Sequence, residues 1–367
     1  MQTFGFPPGK PGFDSVISSS RRSTVNSTRS AQAVAPAKVI LFGEHAINRG
    51  QPALAAGVGL WASCRVSLGD DAGIILRSGP RKQAVSRESI LSLSGKVDAF
   101  RRDQNYESIR QLAAQDYFAP AKYILGSALG ERVPNGFTVE WESEIPSSAG
   151  LGSGAAAFTA MVTALDALLL GPATLEARSE WSHLGDIVAH GGVASALDSQ
   201  TSLLGGIIQF NGQGLAEPIP CATGFSLVIG STGISASTSE IITKVRRWLE
   251  EKPASRLAYF QTVGTLSRAA LPALKKGDWN ELGLLLTLNQ LALEKIGVSC
   301  PEIDRLIEAV LEAGALGAKL SGSGGGGIII ALVTAETRTK VAQAIVDAGG
   351  TAFLPEIGVP GASLRTT

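Results

Sequence analysis

Residues 146–157 read PSSAGLGSGAAA. Before them, GFTVEWESEIP (136–146) alternates apolar Phe137, Val139 and Trp141 with polar neighbours. After them, AAAFTAMVTALDALLL (155–170) is an Ala/Leu run. The spacing predicts a half-buried strand, a loop of small residues and a helix. A helix N-terminus leaves unpaired N–H groups and carries partial positive charge. Small residues let a phosphate chain approach those groups, and Ser147, Ser148 and Ser153 add hydroxyls. The plainer reading is a tight strand–helix turn that binds nothing.

Competing phosphate motifs fail on their own terms. No G-x-x-x-x-G-K-[ST] run exists. Gly152, Gly154 and Ala157 satisfy G-x-G-x-x-A, but the dinucleotide fingerprint needs an acid about 20 residues on, ending the next strand. The first acid here is Asp166, still inside the helix. A serine-hydrolase elbow, G-x-S-x-G, is missing as well.

The 32 acidic and 32 basic residues cancel, so no basic field exists for nucleic acid or an anionic membrane, and any anion needs a local site. The 16-residue run 155–170 carries Thr159, Thr163 and Asp166; it is too short and polar to span a bilayer and reads as a buried helix. Cys64, Cys221 and Cys300 are far apart, which indicates neither a zinc knuckle nor a disulfide framework and suits a reducing compartment. Residues 1–33 are rich in Ser, Gly, Pro and Arg, with Asp14 their only acid. They read as a disordered tail, with a transit peptide as the alternative.

Along the chain, AKVILFGEH (37–45) reads as a short buried strand and QPALAAGVGLWASCRVSL (51–68) as a strand pair. Residues 70–110 read as hairpin and loop, and FAPAKYILGSALG (118–130) as a helix with Pro120 in its first turn. Strands are expected at 203–210 and 225–231. Four helical segments follow, then a glycine loop, the strand GIIIALV, a helix and a closing strand. The order suits an α+β layer, and the Gly/Pro-rich stretch 211–224 suits a break between domains 34–218 and 219–367.

AKVILFGEHAINRG (37–50) mounts Lys38 at the start of a strand and Glu44 and His45 at its end. HGGVASALDSQTSLLGG (190–206) holds Asp198 as a lone acid among small residues, either an N-cap or a sheltered general base or metal ligand. His183, Trp181 and Trp248 read as packing residues.

Together, residues 38–55, 146–157, 190–206 and AKLSGSGGGG (318–327) resemble the GHMP kinase superfamily. Within it they are most similar to the mevalonate kinases, archaeal-type members above all. NQLALEKIGVSCPEIDRL (289–306) adds to that likeness. The resemblance spans about residues 35–350. It implies an α+β two-domain fold: an N-terminal domain like ribosomal protein S5 domain 2 and a ferredoxin-like C-terminal domain. It implies ATP, Mg²⁺, mevalonate as acceptor, a cytoplasmic location and room for a homodimer. Asp198 would take or orient the proton of the acceptor's 5-hydroxyl, with Lys38 beside it. Ser147, Ser148, Ala149, Gly150, Leu151, Gly152, Ser153 and Gly154 would wrap the ATP phosphates. Glu44, His45, Ser195, Thr238, Gly322 and Gly324 would meet the substrate, and Ser153 and Asp186 would hold the metal. The chain departs from the family where Gly154 replaces a serine that contacts Mg²⁺, and where Asp186 stands about one residue out of register with a family glutamate.

The remaining readings are a phosphomevalonate kinase, for which Arg49 and Arg65 are the nearby cations, and a catalytically silent sensor on the same fold. The late glycine run leads into a strand and so offers no helix dipole. It is expected to pack on the ATP loop and to add N–H groups from Ser321 to Gly325.

Overall fold

The computed structural model describes residues 30–69, 73–146, 149–234 and 238–365. Its strands are β1 Ser30–Phe42, β2 Ala53–Leu68, β3 Ile74–Ser78, β4 Arg81–Val85, β5 Phe137–Ser143, β6 Ile207–Phe210, β7 Glu217–Pro218, β8 Leu227–Ser231, β9 Gly317–Ser321, β10 Ile328–Leu332, β11 Thr351–Phe353 and β12 Ser363–Leu364. Its α-helices are α1 Arg87–Arg102, α2 Tyr106–Gln115, α3 Ala119–Leu129, α4 Ser153–Leu165, α5 Leu175–Ala189, α6 Leu197–Leu204, α7 Thr238–Glu251, α8 Pro253–Lys276, α9 Trp279–Lys295, α10 Pro301–Glu312 and α11 Arg338–Asp347.

The first sheet runs β12-β1-β2-β5-β3-β4, with β6 on the far end of β2 and β7 beside β6. β1 is buried without a break from Ala33 onward, as befits a strand covered on both faces. Alanines line the contact: Ala33, Ala35 and Ala37 on β1, and Ala156, Ala160 and Ala164 on α4, are fully buried. Small side chains let α4 lie close on β1 and β2. The stretch Ser153–Leu170 is long and apolar enough to cross a membrane by length and composition, but half of it is buried inside the protein.

The second sheet is antiparallel throughout, ordered β11-β8-β10-β9. Numbered within this half, that is 4-1-3-2, with α7 to α10 between its first two strands and α11 between its last two. This is the ferredoxin-like arrangement that the family resemblance implied.

Several sequence expectations need correction. Residues 51–68 do not form a strand pair but enter one 16-residue strand, β2, which pairs with β1, β5 and β6 at different points along its length. β1 accompanies it along nearly its whole length, while its other edge passes from β6 to β5. Residues 70–110 contain the expected hairpin, β3–β4, but then two helices. The signal was there: Ser86 caps α1 through the Ser89 N–H, and Ile90, Leu93, Val97 and Phe100 recur at helical spacing among charged residues. The strand β1 begins at Ser30, inside the segment assigned to the tail; residues 1–29 lie outside the described residues. Past β11 the chain returns to the first sheet. Ile357 bridges Val58, Pro360 bridges Gly205, and β12 pairs with β1.

Gly185 on α5 has no room for a side chain: an added Cβ would stand 2.4 Å from Phe158 and 2.9 Å from Ile124. Gly95 on α1 has nothing within 4 Å. Gly185→Ala should therefore destabilise the protein by about 1–3 kcal/mol, and Gly95→Ala should stabilise it by about 0.5–1 kcal/mol. Thermal unfolding of both variants checks the pair; shifts of the same sign would contradict the packing.

Candidate functional site

A cleft of about 1950 Å³ is bordered by the end of β1, the start of α4, the α5–α6 connection, α7 and the glycine loop between β9 and β10. Its floor is built around Lys38. This side chain is nearly fully buried, and its Nζ lies 3.0 Å from Asp198 Oδ2 and donates to the Gly150 carbonyl at 3.3 Å. The Lys38 backbone N–H donates to Leu151 O at 3.0 Å. The loop is moulded on the lysine stem. Gly152 has φ +72, and a Cβ there would come within 2.9 Å of Lys38 Cγ and Cε.

Gly152 is also the N-cap of α4, which has no side-chain cap and no acid in its first turn. Those N–H groups remain available to an anion. Gly150, Gly152, Ser153 and Gly154 line the cleft, whereas Ala149 and Leu151 turn their side chains into the core. Ser147 and Ser148 lie outside the described residues. At Gly154 a Cβ would meet Phe158 at an ordinary 3.5 Å, so nothing in the structure demands glycine there.

Asp198 sits in the first turn of α6 with about a quarter of its side chain exposed, its carboxylate open to the cleft. It is no N-cap; Ala196 holds that position. Asp186, on α5, also lines the cleft and is buried. Its Oδ2 has no hydrogen-bond partner among the described residues. Burial, then repulsion from Asp198, pushes the Asp186 carboxyl well above the usual range, with Lys38 opposing. A cation bound beside such a group would favour release of its proton. No cluster of three or more His, Cys, Asp or Glu fit for a metal exists among the described residues.

His45 adopts φ +59, rare for a side-chain-bearing residue. Its Nε2 lies 3.0 Å from the Ser323 carbonyl. A carbonyl only accepts, so Nε2 carries the proton and Nδ1 is the open acceptor. Burial pushes the imidazole pKa down to about 4, with the Ser323 carbonyl opposing and Lys319 adding to the shift. Ser195, Gly322 and Gly324 line the same cleft. Thr238 starts α7.

Glu44 lines the cleft, but its carboxylate is buried and accepts from Lys319, a residue the sequence reading passed over, with Oε2 left without a partner among the described residues. One expectation falls to geometry. The Gly325 N–H is not free for a phosphate, because it donates to Val298 O at 2.7 Å. The glycine run does face the loop before α4, with Gly150 3.6 Å from Ser321 O and Gly327 3.7 Å from Ala149 O by added Cβ. Its tightest contacts lie within the second half, however. A Cβ at Gly324 would stand 2.2 Å from Val298 O, and one at Gly326 would stand 2.7 Å from Ile234 O.

The model of the GHMP kinases N terminal domain matches residues 116–206, and that of the GHMP kinases C terminal matches residues 270–351. The mevalonate kinase of Thermococcus gammatolerans is 33% identical over 336 residues, covering 90% of this chain and 96% of that protein. The mevalonate kinase of Pyrococcus abyssi is 33% identical with the same coverage of each. Among solved structures, L. major mevalonate kinase in complex with R-mevalonate superposes with a TM-score of 0.70 at 26% identity, covering 90% of this chain and 96% of that one. The Methanococcus jannaschii mevalonate kinase gives 0.72 at 21% identity, covering 91% and 98%. With both halves of the fold matched and a third of residues shared along nearly the whole length of these relatives, the chain belongs to the mevalonate kinase family of the GHMP kinases.

Proposed function

We propose that this kinase transfers the γ-phosphoryl group of ATP to the 5-hydroxyl of (R)-mevalonate. The observation that carries the chemistry is the Lys38–Asp198 pair, 3.0 Å apart on the floor of a cleft that also receives the N-terminus of α4. The acceptor itself comes from the relatives' activity.

Phosphoryl transfer has a loose transition state, so in-line positioning and charge placement supply most of the rate. Gly150 to Gly154 and the first turn of α4 would cradle the phosphates. Among the described residues, Asp198 is the one carboxylate open to the cleft with a cation beside it. It would orient the acceptor hydroxyl and take its proton as the bond to phosphorus forms and the bond to ADP breaks. Lys38 sets a positive charge 3.0 Å from the Asp198 carboxylate and lies where charge gathers on the attacking oxygen. Neutral His45 offers Nδ1 to a hydroxyl donor. Arg49, Lys244, Arg246 and Arg247 line the same cleft and suit an acceptor bearing a carboxylate, whereas Arg65 is bonded to Gln32 instead.

The donor set fits Mg²⁺. Asp186 supplies a buried oxygen with no partner among the described residues, and Ser153 lines the cleft at the α4 N-terminus. Mg²⁺ takes one or two protein oxygens and completes its shell with phosphates and water. It would neutralise phosphate charge when bound. Cys64, Cys221 and Cys300 are all free, in keeping with action in a reducing cytoplasm.

ADP release from ATP and Mg²⁺ over mevalonate, phosphomevalonate, galactose and homoserine should show turnover with mevalonate; background rates there would sink the assignment, and preference for phosphomevalonate would replace it. Asp198→Asn should lower kcat by about three orders of magnitude or more while ATP affinity holds. Asp186→Asn should raise the Mg²⁺ needed for half-maximal rate by about tenfold or more, and an unchanged Mg²⁺ curve would remove Asp186 from the metal site. In NMR titrations the His45 ring should stay neutral down to a pKa of about 4. A midpoint near 6.5 would contradict its burial.

A further inference from the structure

Lys319 takes no part in the transfer chemistry, yet its side chain is fully buried. From β9 its Nζ donates to the Glu44 carboxylate and to the Leu320 and Ile40 carbonyls. Ion pairs of this kind are poor stabilisers, because desolvation offsets attraction and an apolar pair of the same volume often does as well. What the pair does provide is a fixed geometry between two elements.

Those elements are the end of β1, in the first sheet, and β9, in the second. The second half grips residues 40–45 at several points. Besides Lys319, Ser321 Oγ accepts from the Ile40 N–H at 2.8 Å, Tyr259 donates from its hydroxyl to Glu44 O at 2.9 Å, and Ser323 O accepts from His45. Gln290 holds β9 from the other side, its Oε1 accepting from the Leu320 N–H at 2.9 Å. Two residues before Ile40, the strand passes to the other grip: Lys38 is held by Gly150, Leu151 and Asp198 of the first half. One short strand end is thus shared between the two walls of the cleft.

We propose that Lys319 is a positioning residue for phosphoryl transfer: paired with Glu44, it fastens residues 40–45 to β9 and so fixes the spacing between Lys38 and the glycine loop. The proposal rests on Lys38 and Asp198 being the transfer pair. The ATP loop belongs to the first half and keeps its own contacts when the pair is broken, so the loss falls on kcat and not on ATP binding.

The test compares Glu44→Gln, Lys319→Met and the double variant with the wild type. Each single substitution should lower kcat by about tenfold or more, with the KM for ATP within about threefold, and the double should be no slower than the slower single. Losses that multiply in the double, or a wild-type kcat in Lys319→Met, would overturn the proposal. Should Lys319→Met fail to fold, Ser321→Ala removes only the hydroxyl that Ile40 donates to. It should lower kcat by about threefold with the same KM for ATP, and an unchanged kcat would count against the proposal. Amide hydrogen exchange over residues 40–46 needs no acceptor: it should quicken by about tenfold in Glu44→Gln, and unchanged exchange refutes the fastening. A wild type that ignores mevalonate would instead refute the assigned acceptor, leaving the exchange result to decide the role of Lys319.

Discussion

A lysine ammonium taken out of water must be compensated at once, and the active cleft is organised around meeting that demand for Lys38. Asp198 supplies the countercharge and Gly150 a carbonyl. The price of a close fit is paid in glycine: the stem passes so near Gly152 that no side chain could stand there. The same residue must adopt a left-handed conformation to cap α4. The need to house Lys38 and the need to open a helix N-terminus toward a phosphate are therefore met by one position. A strand, a loop and a helix are set in mutual register by it.

The late glycine run obeys a different logic. Gly324 and Gly326 have positive φ and press on the carbonyls of Val298 and Ile234, both in their own half. Gly322 and Gly327 meet the ATP loop only at ordinary contact distance. The run is thus a tight internal turn first and a domain contact second. Its amides are partly spent in that turn, as the Gly325 bond to Val298 shows. The loop with a helix behind it keeps the better-suited N–H groups for an anion.

Much of this was legible because the chemistry sits where local pattern is strongest. The strand–loop–helix at 136–170, the strand bearing Lys38 and the four helices of the second half all follow from periodicity and turn residues. Long-range relations were not legible. Nothing near Glu44 announces a partner 275 residues away, and a lysine within a buried strand reads as surface until the sheet is closed over it. The return of residues 357–364 to the first sheet is likewise a matter of packing, carried by bridges too short to leave a pattern. The helix α1 was hidden for another reason: its many charges mask an apolar stripe that buries only Ile90, Ser94 and Val97.

Arg49, Lys244, Arg246 and Arg247 also line the cleft, but the charges buried at its floor can be counted by pairs. Glu44 and Lys319 are paired out of reach of solvent, with Glu44 Oε2 left without a partner among the described residues. Lys38 is matched by Asp198. That leaves Asp186, whose carboxyl is driven toward its protonated form by burial and by the neighbouring Asp198. One lysine cannot neutralise two carboxylates, so ionised Asp186 calls for a further cation. The polyanionic phosphates of ATP raise the same requirement more strongly, since the cradle at α4 answers them with partial charges only. A divalent ion shared between Asp186 and the phosphates would meet both needs. It would also leave Asp198 unencumbered, and the surroundings of the two acids differ: Asp186 is buried at the lining of the cleft and Asp198 is open to it.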